Sequence, residues 1–205
     1  MPASIDYYMT SPSPFSYLGH PMLRAVARKH GAELKVKPVN LAAVFENSGA
    51  VVPAKRPPVR QRYRLIELQR VADYRGLPIN PKPKHWPTDP TLADHTIIAL
   101  IERGHDPLSY MERVFAAVWA NEENIADRDV LSAHLRAEGF NAEEIMGAAD
   151  EPETAAIRAR NTQEAIDAGA VGVPAYVLNG EVFWGQDRIE YLDQALATGR
   201  KAYTA

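Results

Sequence analysis

Apolar residues alternate with polar ones near both ends of the chain and recur at helical spacing through its middle. Ser4-Ile5-Asp6-Tyr7-Tyr8-Met9 is rich in β-branched and aromatic residues and predicts a strand over 4–9. Phe15, Tyr17, Leu18, Met22, Leu23 and Val26 then share one helical face, predicting a helix over 15–29 that stops at Gly31. A second strand is expected at 33–38, a single short turn at 41–45, and an aperiodic loop from Ser48 to Pro58. From Val59 the pattern is helical throughout: 59–75, 91–103, 107–120, 127–137, 141–148 and 151–169. Asp106-Pro107 and Asp127 mark starts, and Gly76, Gly104 and Gly139 mark stops. Strand signals return at 175–178 and 181–184, joined by Asn179-Gly180, the favoured pair for a type I′ turn. A helix over 187–197 completes the series.

This order, β-α-β, a long all-helical stretch, then β-β-α, is that of an α/β thioredoxin-like domain interrupted by an all-helical insertion. The boundaries it suggests are 1–58 with 168–205 for the α/β part and 59–167 for the insertion. Sixteen prolines, many between Pro53 and Pro90, fence the helices apart rather than marking disorder, because periodic apolar segments continue between them.

Composition narrows the function. The 205 residues are 46% hydrophobic and 24% charged, ample for a core, and a net charge of −3 gives no electrostatic case for nucleic acid or anionic membrane. The chain begins with no basic-then-apolar leader, and no apolar run approaches a bilayer span, so a cytoplasmic location and no membrane partner are expected. No cysteine is present, which excludes disulfides, thiolate metal sites and cysteine nucleophiles. The six histidines show no metal-ligand spacing, and no metal is expected.

Candidate chemistry centres on Ser13-Pro14-Phe15-Ser16. Serine at an N-cap followed by proline is an efficient helix start, and such a start aims free N–H groups and the positive dipole end at whatever lies in front. Redox folds carry C-x-x-C here; with serine at both positions the chain holds no thiol of its own, but the environment favours a thiolate brought from outside. Taken alone, Ser-Pro reads first as an ordinary helix start, and it gains weight only from what lies near the other end of the chain. Ser16 reads most simply as a first-turn serine bonding local backbone.

Four segments in order carry a resemblance: Ser13-Pro-Phe-Ser-Tyr-Leu18, Val52-Pro-Ala-Lys55, Gly172-Val-Pro174 and Trp184-Gly-Gln-Asp-Arg188. With these, nearly the whole chain resembles the thioredoxin-fold group of 2-hydroxychromene-2-carboxylate isomerases and kappa-class glutathione transferases, related to DsbA-type oxidoreductases. The first and last segments look closer to the isomerases.

The resemblance implies bound glutathione as cofactor, with Ser13 facing its sulfur and acting in catalysis. It implies a cis Val173-Pro174 bond whose flanking backbone pairs with the tripeptide, Lys55 on the glycine end, and Gln186 and Asp187 on the γ-glutamyl end. A family asparagine falls near Glu46 or Asn47, and Asn47 is the chemically sensible choice. Asp187 also suits a plain helix cap. The implied activity interconverts 2-hydroxychromene-2-carboxylate and trans-o-hydroxybenzylidenepyruvate in naphthalene-type catabolism, with a small aromatic carboxylate as substrate and a homodimer as assembly. Two alternatives stay open: a kappa-like transferase or peroxidase, and a non-catalytic glutathione- or peptide-binding module. Trp86 and Trp119 read as packing in the insertion or as an aromatic wall over the substrate. Arg56 to Arg70 reads as a solvated helix face, from which Arg60, Arg62 or Arg64 would meet a substrate carboxylate, unranked.

Overall fold

In a computed structural model describing residues 2–204, β1 (Ser4–Met9) forms the centre of a four-stranded sheet of order β2-β1-β3-β4. β2 (Glu33–Pro38) runs parallel to β1 in the register Ser4↔Glu33 to Met9↔Pro38, joined by α1 (Pro14–His30). β3 (Ala175–Leu178) lies antiparallel on the other side of β1, and β4 (Glu181–Trp184) closes a hairpin on β3. Asn179 (φ 53°) and Gly180 (φ 84°) both take the left-handed backbone that a type I′ turn requires.

Side-chain alternation divides the sheet's two faces. Ile5, Tyr7, Met9, Tyr176 and Leu178 join the main core, while Tyr8, Ala175 and Val177 face a second, smaller cluster with Val39, Val44, Ala165 and Ala170. The helices between β2 and β3 are α2 (Leu41–Ser48), α3 (Pro58–Arg75), α4 (Thr91–Glu102), α5 (Leu108–Trp119), α6 (Arg128–Ala137), α7 (Ala142–Ala149) and α8 (Pro152–Asp167). Tyr110, Phe115 and Trp119 of α5 and Leu131 and Leu135 of α6 are fully buried in the same main core as β1, so helices and sheet share one apolar interior. Short 3-10 turns occupy Pro53–Lys55 and Gln186–Arg188, and α9 (Ile189–Thr198) ends the fold. No described helix is long and apolar enough to cross a membrane.

The expected short turn at 41–45 is instead the full helix α2. The Asn40 side chain accepts from Ala42 N, and Gly49, left-handed at φ 70°, closes the other end on the Phe45 carbonyl. Between these caps Val44 gains burial in the second core, tertiary packing that an eight-residue helix, too short to be stable alone, requires. Within the expected loop 48–58 the chain makes one 3-10 turn. The final helix begins as a 3-10 turn at Gln186 rather than as a regular helix at 187.

Candidate active site at the head of the first helix

Ser13 is the N-cap of α1, with extended backbone (φ −76°, ψ 116°), and its Oγ accepts from Ser16 N at 3.1 Å. Its carbonyl accepts from Tyr17 N at 3.0 Å, and its own N–H is held by the Thr10 carbonyl at 3.0 Å. The hydroxyl is buried, and its proton has no acceptor among the described residues. Phe15 N–H, in the first turn, likewise has no backbone partner among them. Two donors without partners among the described residues therefore lie at the positive end of α1. Ser16 differs from expectation: its N–H bonds Ser13, while its buried Oγ bonds nothing among the described residues.

Behind this loop sits a group that the sequence patterns did not single out. Asp94 of α4 is fully buried and accepts from Thr10 Oγ1 (2.9 Å), Ser11 N (2.8 Å), Ser11 Oγ, and Arg158 Nε (3.2 Å) and Nη2 (2.8 Å). Burial pushes its carboxyl up, and the Arg158 guanidinium with the Ser11 and Thr10 donors opposes that push. Arg158 Nη2 also reaches the Val39 carbonyl, so one ion pair ties α4 and α8 both to the loop that follows β1 and to the residue that follows β2. An acidic residue between Ala93 and the apolar run Ile97-Ile98 was the available signal.

Beside the loop, the pairing Tyr8↔Ala175 sets Val173–Pro174 against the C-terminal end of β1. The Val173–Pro174 bond is cis, as is Trp86–Pro87. Pro174 O accepts from Gly185 N at 2.8 Å, while the N–H and C=O of Val173 have no backbone partner among the described residues. Gly172 is wedged: a Cβ there would lie 2.9 Å from Trp184 Nε1 and 3.2 Å from Phe45 Cε1. That wedge, with Ser48 Oγ donating to Val171 O at 3.1 Å, seats the end of α2 against the cis-proline loop.

The Gln186 turn packs on α1 through Gly19, where a Cβ would meet Gln186 Cβ at 2.9 Å and Tyr176 Oη at 3.1 Å. Gln186 is buried, and its Oε1 accepts from Arg75 Nη2 at 3.0 Å, which leaves its amide NH2 to donate. Asp187 is exposed and pairs with Arg188 at 2.6 Å, and its Oδ1 lies over Gly185. Gly185 has φ 103°, a backbone open to glycine, and a Cβ there would fall 2.5 Å from that oxygen. Ser13, Val173, Pro174, Gln186 and Asp187 are thus gathered around α1 and the end of β1. Asn47, in the last turn of α2, and Lys55, in the 3-10 turn, are exposed, and no side-chain hydrogen bond or ion pair links either to that group among the described residues.

Beneath the site, His20 is fully buried with Nε2 at 3.0 Å from the Leu108 carbonyl, which fixes that nitrogen as the donor. Burial lowers its pKa to about 4. Burial likewise raises the Tyr7 and Tyr176 hydroxyls. His30 and His134 sit elsewhere, paired to Asp193 and Glu123 at 2.6 Å each. No group of three or more His, Asp or Glu among the described residues is arranged to hold a metal. Clefts of about 640 and 600 Å³ lie along β2 and α4 and along β4 and α9, away from Ser13. Free donors single out the helix head, not cavity size.

A family model for the DSBA-like thioredoxin domain matches residues 4–197. The 2-hydroxychromene-2-carboxylate isomerase of Sphingobium xenophagum is 24% identical over 198 residues, covering 96% of this chain and 99% of its own. Human glutathione S-transferase kappa 1 is 22% identical over 213 residues, covering 96% and 92%. A solved structure of 2-hydroxychromene-2-carboxylate isomerase superposes with a TM-score of 0.80 at 25% identity, covering 95% of each chain.

Proposed function

This chain belongs to the DSBA-like thioredoxin domain family, and on that premise we propose that it is a glutathione-dependent isomerase interconverting 2-hydroxychromene-2-carboxylate and trans-o-hydroxybenzylidenepyruvate. The observation that carries the reading is the Ser13 hydroxyl: buried, engaged as an acceptor by Ser16 N, with its proton free to donate. The residues present fit the tripeptide. Val173 offers an unpaired N–H and C=O in the manner of a strand edge, which suits a peptide backbone. Gln186 offers its amide NH2 and Asp187 a carboxylate to the γ-glutamyl end. Lys55, and Asn47 with it, would reach the glycine carboxylate from the rim. When bound, glutathione would supply a thiolate nucleophile for reversible conjugate addition to the open-chain acid, with Ser13, Val173, Gln186 and Asp187 holding the tripeptide.

The chain's own contribution is electrostatic and positional. Ser13 Oγ–H, Phe15 N–H and the α1 dipole favour sulfur in its anionic form at neutral pH, as helix starts do for thiols. Cis-proline loop and Gln186 turn hold the nucleophile at one place before the substrate arrives, the source of rate expected from proximity. Isomerase-named relatives and a solved isomerase structure support this reaction, while the kappa transferase, which covers 96% of the chain, keeps transfer as the alternative.

Calorimetric titration with glutathione, followed by turnover assays on the chromene acid, chlorodinitrobenzene and cumene hydroperoxide, tests the reading. Binding with turnover of the chromene acid alone is expected. Turnover only of the chlorinated or peroxide substrates would move the assignment to a kappa-like transferase, and binding without any turnover to a non-catalytic module.

A further inference from the structure

Arg64, in the second turn of α3, stands out among the arginines of that helix. Arg70 pairs with Glu67, Arg75 donates to Gln186, and Arg56, just before the helix, donates to the Val51 carbonyl. Arg60 and Arg62 are exposed to water. Arg64 is half-buried and has neither a carboxylate nor a carbonyl partner among the described residues. Its guanidinium carbon lies 4.9 Å from the Trp86 ring centre and 6.0 Å from that of Trp119. The two indoles are 5.9 Å apart at 49°. Burial and the neighbouring Arg56 charge lower the Arg64 pKa to about 10. A partly desolvated cation without an anion is costly, and stacking on indole offsets only part of that cost.

A second observation points to the same place. Trp119 is fully buried, and its Nε1–H has no acceptor among the described residues. An unpaired donor beside an unpaired cation matches a ligand bearing acceptor oxygens. The wall also adjoins the head of α1. Tyr17, one turn beyond Ser13, donates to Pro78 O at 2.6 Å, and two residues later Asn80 N bonds the Trp119 carbonyl at 2.6 Å. Lys55 and Arg56 lie in the segment that leads into α3 at Pro58.

We propose that Arg64, set against Trp86 above the buried Trp119, is the specificity-determining residue that receives the carboxylate of an aromatic acid, with the half-buried Trp86 indole beside its ring. The proposal rests on the functional reading above for the substrate's place in turnover, but the site itself requires no glutathione. A guanidinium fork binds a carboxylate in two parallel hydrogen bonds, which an amide of the same shape cannot reproduce. Arg60 and Arg62, solvated and away from the indoles, play no such part.

The test is calorimetric titration of the full chain, without glutathione, using trans-cinnamate and the neutral trans-cinnamamide. Trans-cinnamate should bind at least tenfold more tightly than the amide. Arg64→Gln should abolish that preference while leaving the Kd for glutathione within twofold, and Arg64→Lys should retain part of it; Arg62→Gln should leave it intact. Equal affinity of the native protein for acid and amide overturns the proposal without any variant. So does an Arg64→Gln protein, folded by near-ultraviolet circular dichroism, that still prefers the acid. Failure of glutathione binding with the acid preference intact would instead remove the functional reading and leave this site standing.

Discussion

Replacing Asp94 with asparagine removes one charge from the buried cluster that anchors the Ser11–Ser13 loop. Asparagine keeps one acceptor oxygen. If that oxygen faces Ser11 N and Oγ, the new NH2 group opposes Thr10 Oγ1 and both Arg158 donors; reversed, it opposes Ser11. Either way Arg158, whose side chain is 13% exposed, loses the partner that neutralises it. Removing one member of a buried ion pair costs about 3–5 kcal/mol, because the other charge stays desolvated. Against a usual total of about 5–15 kcal/mol, that is a large share. Urea unfolding followed by far-ultraviolet circular dichroism should show the midpoint falling by about 1–2 M at an unchanged slope of roughly 2–3 kcal/mol per M. Removing the orphaned charge as well, in Asp94→Asn with Arg158→Met, should recover part of the loss, giving a coupling of about 1–3 kcal/mol. A loss below about 1 kcal/mol for Asp94→Asn alone would show that the cluster does not hold the loop.

Other consequences follow from the same geometry. Gly185→Ala forces a Cβ onto Asp187 Oδ1 at a left-handed backbone position, so it should cost about 1–3 kcal/mol and weaken glutathione binding, read by calorimetry; unchanged affinity would free Asp187 from the site. His20, at a pKa of about 4 when folded and 6.5 when unfolded, takes up a proton on unfolding between those values. Stability should therefore be full above pH 6.5 and fall by about 3 kcal/mol as the pH drops through about 4. Comparing urea midpoints from pH 7 to 4 with those of His20→Gln isolates the effect, and parallel profiles would refute it. Ser13→Ala should lower kcat/KM at saturating glutathione by about 100-fold, as for loss of one donor to a reacting anion, and stability by only about 1 kcal/mol.

Local features of this fold were legible in the residues themselves. The Asn179-Gly180 hairpin, the Ser13-Pro14 start and the helical periods between Pro58 and Asp167 each depend on interactions within a few positions. α2 outruns the short turn expected at 41–45 because two caps and the packing of Val44 in the second core extend it, and the second of these is set by distant residues. Asp94 escaped notice because an aspartate in a helical stretch normally faces water, and its partner Arg158 lies 64 positions away. The Trp184–Arg188 segment points to Gln186 as a candidate, but the bond from Arg75, 111 positions distant, that orients its amide is visible only in the tertiary structure. Arg64 was indistinguishable from Arg60 and Arg62 until the indoles were seen beneath it.

The most direct measurement is the thiol pKa of glutathione bound to the protein, read from thiolate absorbance near 240 nm across a pH series. If Ser13 Oγ–H, Phe15 N–H and the α1 dipole face the sulfur as proposed, it should lie at least one unit below the ordinary thiol value of about 8.5 and rise by about one unit in Ser13→Ala. A bound thiol titrating like the free one, in native protein and variant alike, would contradict the account.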